Sequence, residues 1–444
     1  MGKPLSETPL PATVSGTEVP PIRGVRSTLA RGMIGGLLIA GAAVLCVWSY
    51  FHSQASFHWQ AAERALELQD AEAACDHLEH CLLWWNGRYD VRFQAARAAR
   101  LAGRLDQAEE HLTYCERLAG SAPEERLLRE RSLLQVQQGD LAGHLERLAP
   151  QGPSDPTLSV EVLEALAHGF GESLYDVSAL VCLDRLFGLE PAHVRGRLLA
   201  GEIYTRLTFH EQAEQQFEKA VAQAPRALGP RQHLAVALLD VGKVREAAVQ
   251  IDVLLSLFPE HPEGLYARAR QFVYRGRVED AKADLDRVLT NYPGHVPALL
   301  ERGRLEYRHG DPRKSLKWFG EATQIQPGSL EAWQGLAKAH DVLKNVAEAK
   351  KCWDTVEDLK RRLGEMSRLD VQINQLKSRG TAMPLALAEI CEQVHLPAKA
   401  ASWRWQALHA EPQNRAARLA QAQYFEAIGQ PHRAARQRVV AGPP

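Results

Sequence analysis

Residues 194–227 read VRGRLLAGEIYTRLTFHEQAEQQFEKAVAQAPRA, and the spacing inside this stretch decides the fold. Gly201 and Ala213 are small residues twelve positions apart, Tyr204 and Phe217 are large, and Pro225 closes the stretch. The same pattern returns at 34-residue steps. Gly201, Ala235, Ala269, Gly303 and Ala337 form one series of small residues, and Ala213, Ala247, Ala281, Ser315 and Ala349 form a second. Pro225, Pro259, Pro293 and Pro327 form a third series. Gly242, Gly276 and Gly310 fall between the two small positions, where one helix must stop and reverse. Large apolar residues complete the unit: Tyr204, Leu238 and Phe272 on the first helix, then Phe217, Ile251, Leu285, Phe319 and Trp353 on the second.

Close packing explains the pattern. Two antiparallel helices approach tightly only where side chains are small, and a large neighbour fills the remaining gap. Proline ends the second helix because it has no amide hydrogen to donate. A single helix pair cannot bury its own apolar face, so successive pairs must stack. Units starting at 194, 228, 262, 296 and 330 keep the register without a slip. Earlier units start near 55, 89 and 160, marked by Ala62/Ala74, Ala96/Ala108 and Ala167/Ala179. Later ones start near 381 (Ala388, Ala400, Pro412) and 415 (Ala422, Gly429, Ala434). The stretch 123–159 keeps Gly139 but loses the small-residue spacing, and reads as a degenerate repeat. Residues 364–380 read as an insertion with its own helix over 365–378. The expected layout is therefore first repeats over 55–122, the degenerate unit, a main array over 160–363, the insertion, and final repeats with a cap over 381–440.

This pattern resembles the tetratricopeptide repeat family, whose small, aromatic and proline signature positions match Gly201, Tyr204, Ala213, Phe217, Ala220 and Pro225. The resemblance implies an all-α fold, a right-handed superhelix of helical hairpins with a concave groove lined by first helices. It also implies a scaffold that binds proteins or extended peptides without catalysis. Mapped onto the groove positions of that family, this chain offers Tyr266, Arg270 and Tyr274 from one unit and Arg304, Tyr307 and Arg308 from the next. Arg and Tyr combine apolar area with directional donors and often anchor interfaces. A partner with carboxylates and an apolar or aromatic residue would suit them. Some family members grip a terminal carboxylate with Lys and Asn, but here Leu198, Glu202, Gln232 and Val236 stand at those places.

Outside the repeats, residues 1–31 carry Pro4, Pro9, Pro11, Pro20 and Pro21 among Ser, Thr and Gly, and read as a disordered tail. Residues 32–51, GMIGGLLIAGAAVLCVWSYF, are twenty residues without a charge. As a helix they span about 30 Å, the thickness of the hydrocarbon layer. They read as a single transmembrane helix, with Trp48, Tyr50 and Phe51 at one end for the headgroup layer. Arg23, Arg26 and Arg31 flank the near side, and no Lys or Arg follows until Arg64. The positive-inside rule then places the tail in the cytoplasm and the repeats on the outer, periplasmic side of a bacterial cell membrane. Ser53-Gln54-Ala55 is an alternative cleavage site. Gly32 and Gly36 form a GxxxG that offers a homodimer contact.

With 53 basic and 54 acidic residues the chain has no charge bias toward nucleic acid. Hydrophobic residues make up 45%, enough for a large core. Phosphate-binding loops and the HExxH metal motif are absent from the sequence, and the repeats leave no room for a catalytic domain, so no enzyme activity and no cofactor are expected. Cys81, Cys115 and Cys391 fall at small or core repeat positions. Cys75, His77, His80 and Cys81, with His111 and Cys115 one repeat later, form the densest metal-like cluster, but helix geometry splays them over two faces and no metal is expected. Trp403 and Trp405 read as closing the stack, and Arg433, Arg436 and Arg438 as a polar end cap. The function expected is a membrane-anchored scaffold. The alternative is a non-catalytic regulatory or assembly subunit of an envelope enzyme complex.

Overall fold

The computed structural model describes residues 24–67, 70–120, 124–152, 156–376 and 380–443, with the side chains of 24–41 and 374–376 left aside. Among these residues every regular element is a helix. Residues Met1–Val91 and Arg92–Pro444 form two compact units, the first containing α1 (Gly24–Glu67) and α2 (Ala71–Trp85). α3 (Tyr89–Leu101) crosses the boundary, and α4 (Leu105–Ala119), α5 (Glu125–Gln137) and the short α6 (Leu145–Leu148) follow. Hairpins then succeed one another: α7 (Val160–Glu172) with α8 (Asp176–Leu189), α9 (Val194–Arg206) with α10 (His210–Gln223), and α11 (Leu228–Asp240) with α12 (Val244–Leu257). α13 (Pro262–Tyr274) pairs with α14 (Val278–Asn291), α15 (Val296–His309) with α16 (Pro312–Ile325), and α17 (Leu330–Val342) with α18 (Val346–Leu376). The last two hairpins are α19 (Ala382–Gln393) with α20 (Pro397–Ala410), and α21 (Arg415–Ala427) with α22 (Pro431–Ala441). The five units expected at 194, 228, 262, 296 and 330 begin on the first residues of α9, α11, α13, α15 and α17.

Size complementarity inside each hairpin accounts for the register. The residue sixteen positions after each small residue packs against it, and the two sizes compensate. Gly201 faces Phe217, and a Cβ there would lie 2.3 Å from the ring. Gly303 faces Phe319, whose ring also closes on Gly335. Where the small residue is Ala235 or Ala269, the partner shrinks to Ile251 or Leu285, and all four are buried. Second helices stop two residues before Pro225, Pro259, Pro293 and Pro327. First helices are capped at the same place in four of these five units: His193, His261, His295 and Ser329 each accept an amide hydrogen three residues on, while Ala227 has no side chain to do so. The turn between helices puts Gly242 and Gly276 in the left-handed region at φ +79° and +72°. Thr208 and Lys344 occupy that turn position at φ +63° and +59° without being glycine. Gly310, expected to act like the other two, has φ −137° instead.

A recurrent cation also emerges that the spacing analysis passed over. Arg197, Arg231 and Arg418 occupy the fourth position of their first helices. Each donates to a proline carbonyl six residues earlier (Pro191, Pro225, Pro412) and to a glutamine nineteen residues later (Gln216, Gln250, Gln437). Trp333 makes the same proline contact through its indole nitrogen at 2.8 Å. The helix entrance is thereby tied to the preceding loop, and an unsatisfied carbonyl is removed.

Two expectations about the repeats are corrected. The helix expected over 365–378 is not separate: α18 continues through it to Leu376, and residues 377–379 lie outside the described residues. Arg361 stands where the four preceding units have proline, so nothing stops the second helix. Met366 and Ile373 on the extension are buried against α19 and α20. In the degenerate unit α5 forms normally, but the second helix is reduced to the four residues of α6.

The second correction concerns the C-terminal end, which is no solvated cap. α22 packs on α4, and the amides of His432 and Arg433 in its first turn both donate to Asp106 at 3.0 Å. Arg418 forms an ion pair with Asp140 at 2.5 Å, both side chains almost wholly buried. Trp405, buried, lies over Gly139, where a Cβ would come within 2.7 Å of the indole. Tyr175 meets His409 edge-on. Burial pulls the Arg433 guanidinium down to about 10, against the pull of Glu172, Tyr424, Asp106 and Glu109. The last hairpins thus close back on α4 to α7, and Trp403 and Trp405 are interior to that seam. Of the disordered tail expected over 1–31, residues 24–31 are instead helical within α1, while residues 1–23 and the side chains of 24–41, with the contact offered by Gly32 and Gly36, lie outside the described residues.

Burial also sets an acid limit. The His111 imidazole is pushed down to about 4, first by burial and then by Arg92 and His432, with Glu110 opposing. Arg92 lies 3.0 Å from its Nδ1. A histidine held below its ordinary value stabilises the fold fully above pH 6.5 and loses that contribution as pH falls toward about 4. His144, His168, His261 and His409 are lowered by burial in the same direction. Urea titration at pH 7 and pH 4.5 is expected to show a steep loss. His111→Gln should shrink the difference by roughly 1–3 kcal/mol. An unchanged difference would mean that this ring is solvated.

Candidate functional site

The six groove residues come from α13 and α15, both first helices of stacked hairpins. Tyr266 is half-buried against the core, its ring 5.4 Å from His295, and burial raises its phenol above the ordinary value. Arg270 binds Asp240 at 3.0 Å. Burial works against its charge, but Asp240 and the nearby tyrosines outweigh it and keep the guanidinium above its ordinary value. Arg304 is held by Glu301 of its own helix at 2.5 Å and by Glu331 at the start of α17. Tyr274 is exposed, its hydroxyl donating to the Leu239 carbonyl at 3.4 Å. Tyr307 is half-buried against the core, and Arg308 is exposed.

Tyr266, Arg270, Tyr274 and Arg304 are close enough to act on one another electrostatically. Tyr307 serves mainly as packing. The arginines face carboxylates that the groove mapping had not included. Asp240 and Glu331 belong to the preceding and following units, and Glu263 joins through His295 at 3.0 Å. The ion pair lowers the Glu263 carboxyl below its usual range, chiefly through that hydrogen bond. The face is thus a ladder of opposite charges across α11, α13, α15 and α17, edged by one exposed tyrosine and one exposed arginine. A ligand carboxylate must compete with a resident one at Arg270 and Arg304, whereas Arg308 has no ion pair among the described residues.

Other candidate chemistry resolves into packing. A cleft of about 460 Å³ opens between α8, α9 and α10, lined by Asp184, Phe187, Arg197, Tyr204, Gln216 and Lys219. Its Arg197 stacks on Phe187 and is taken up by the proline and glutamine contacts above. His77 pairs with His58, a residue the cluster reading lacked, at 3.1 Å, and His80 stacks on the same ring. Burial and those two neighbours push His58 down. His111 faces Arg92 instead. Among the described residues no group of three or more His, Cys, Asp or Glu is placed to hold a metal. Cys81, Cys115 and Cys391 are buried and their thiols pushed up to about 11, mainly by burial. Cys46 is exposed.

The comparison with protein families falls on the same elements. Residues 266–330, from within α13 to the start of α17, match the family model described as tetratricopeptide repeat. This segment is similar to the tetratricopeptide repeat. The six groove residues all lie inside the matched segment. Helical hairpins also precede and follow it, so the described residues form an all-helical repeat solenoid. No curated protein matches the chain. Among solved structures, the type IV pilus biogenesis factor PilW is 17% identical over 45% of this chain and 92% of its own, with a TM-score of 0.41. YrrB, described as a TPR protein with an unusual peptide-binding site, is 18% identical over 43% of this chain and 96% of its own, with a TM-score of 0.33. The human IFIT1 dimer with m7Gppp-AAAA is 17% identical over 80% of this chain and 89% of its own, with a TM-score of 0.40. Likenesses at this level do not bear on what the repeats of this chain hold.

Proposed function

We propose that this chain is a membrane-anchored scaffold whose repeats hold an extended segment of a partner protein and catalyse nothing themselves. The carrying observation is the face of α13 and α15, where exposed Tyr274 and Arg308 stand beside Arg270 and Arg304, already positioned by Asp240, Glu301 and Glu331. Internal pairing holds the guanidiniums in place, so less side-chain freedom is lost when a partner binds. Alternating charge favours a segment that carries both signs and can exchange with the resident pairs. An apolar or aromatic side chain of the partner then covers Tyr274. Arg308 offers the first carboxylate contact without breaking an internal one.

The uncharged run over 32–51 lies within α1 and is read as the anchor. Among the described residues no helix is long and apolar enough to cross a membrane. Side chains of the run are described only from residue 42 onward, about 15 Å of helix. The anchor reading therefore rests on the sequence, with Arg23, Arg26 and Arg31 placing the repeats on the outer side and Gly32/Gly36 offering a contact between two copies.

A photo-crosslinking residue at position 274, used in intact cells, is expected to capture an exported protein. Arg308→Glu with Tyr274 intact should lower retention of that partner about tenfold, the weight of one charged contact of roughly 1.4 kcal/mol. Undiminished retention removes this face from consideration, and capture of a cytoplasmic protein reverses the topology.

A further inference from the structure

We propose that the last turn of α2, carrying Leu83 and Trp84, rests in the headgroup layer of a lipid bilayer, so that the first hairpin is seated on the membrane. This rests on residues 32–51 being the anchor, and it adds a second helix to the membrane contact. α1 runs unbroken from Gly24 to Glu67, so the uncharged run and the first repeat helix are one rod with no linker between them. α2 returns antiparallel along that rod, and its contacts fix the level of each turn. His77 meets His58, the Cys81 thiol donates to the Ala55 carbonyl at 3.3 Å, and the Trp85 indole nitrogen lies 3.3 Å from His52 Nδ1. Trp84 stacks on Phe51, the last residue of the uncharged run, with ring centroids 3.6 Å apart. The end of α2 therefore stands level with the end of that run.

What it displays there suits the interface between hydrocarbon and water. Trp48, Tyr50, Leu83 and Trp84 are 62%, 60%, 69% and 48% exposed, and no ionised residue lies within 81–85 or 42–51. Indole and phenol rings prefer the headgroup level because one end is apolar and the other donates a hydrogen bond. A largely exposed leucine on a helix end costs free energy in water and gains it in that layer. Arg88, three residues beyond, lies over the Trp85 ring at 4.5 Å and is paired with Asp90, at the height where a guanidinium reaches water and phosphate. The bilayer is the occupant assigned, because the patch is continuous with the uncharged run and has the residue types of an aromatic belt.

Two nitroxide labels on the full-length chain test this in vesicles of phosphatidylethanolamine and phosphatidylglycerol, with dissolved oxygen and an aqueous nickel chelate as relaxing agents. The first label is on native Cys46, the exposed cysteine, and reports the anchor. The second is on Leu83→Cys in a Cys46→Ala background, with helical content checked by circular dichroism. The expected result is oxygen-dominated relaxation at both positions, deeper at 46 than at 83. Oxygen at 46 with chelate at 83 overturns the seating and leaves the anchor standing. Chelate at both positions overturns the anchor and the seating together. A label at 83 shielded from both agents means that another copy covers the patch, and overturns the bilayer assignment.

Discussion

Replacing Arg418 with alanine is expected to release the last two hairpins from α4 to α7 while leaving the hairpins from α9 to α17 folded. The guanidinium pairs with Asp140 through two hydrogen bonds, at 2.5 and 3.2 Å, where both side chains are shut off from water. Removing one partner leaves the other charge buried and unanswered, a loss of about 3–5 kcal/mol. Gln437 and the Pro412 carbonyl, which the same guanidinium satisfies, lose their donor as well. Hydrogen exchange should show amides of α20, α21 and α22 losing protection by several orders of magnitude, with those of α9 to α17 nearly unchanged. Asp140→Ala should match it. The double change Arg418→Met with Asp140→Leu should recover much of the loss, since an apolar pair of similar volume removes both charges. A uniform small decrease across the chain would show that the pair does not hold the seam.

The second large effect concerns the interlock between Gly201 and Phe217. A single methyl at Gly201 would sit 2.3 Å from the ring, well inside contact distance, so Gly201→Ala must push the phenylalanine or the helices apart. The expected cost is about 1–3 kcal/mol. Phe217→Ala empties the same space and is expected to cost about 3–5 kcal/mol. Combined, the two should be less harmful than their sum by at least about 1 kcal/mol, because the first fills part of the cavity made by the second. Denaturant melts of the four proteins supply the cycle. Strict additivity would mean that residue size at these two positions is not coupled.

The register of the hairpins could be read from the sequence because it is written in residue size at fixed short intervals, each unit repeating the same local contact. Gly201, Ala235, Ala269 and Gly303 announce where helices cross, and α9, α11, α13 and α15 begin where that spacing puts them. The sequence also carried a signal for the fusion within α18, which went unread: Arg361 stands in the proline series, and a missing stop means a continuing helix. The groove was legible only in part. Tyr266 through Arg308 could be assigned to first helices, but Asp240 and Glu331 neutralise the arginines from neighbouring units. Such pairing depends on how units are offset in space, which a one-unit mapping leaves out. The seam was not legible at all, since Asp140 and Arg418 are 278 residues apart and no short-range spacing links them. Arg433, read as solvated, is interior for the same reason.

Closing the seam has a temporal consequence. At about 5–20 residues per second, roughly 14–56 seconds of translation separate Asp140 from Arg418 on the ribosome. Neighbouring hairpins can stack as they emerge, since their contacts are short in sequence, whereas the seam waits for Arg418. Throughout that interval Gly139, Asp140 and the α4 surface around Asp106 are without the tryptophan, guanidinium and helix start that later cover them. A nascent chain that has not yet released α21 and α22 therefore leaves Asp140 and Asp106 without their partners.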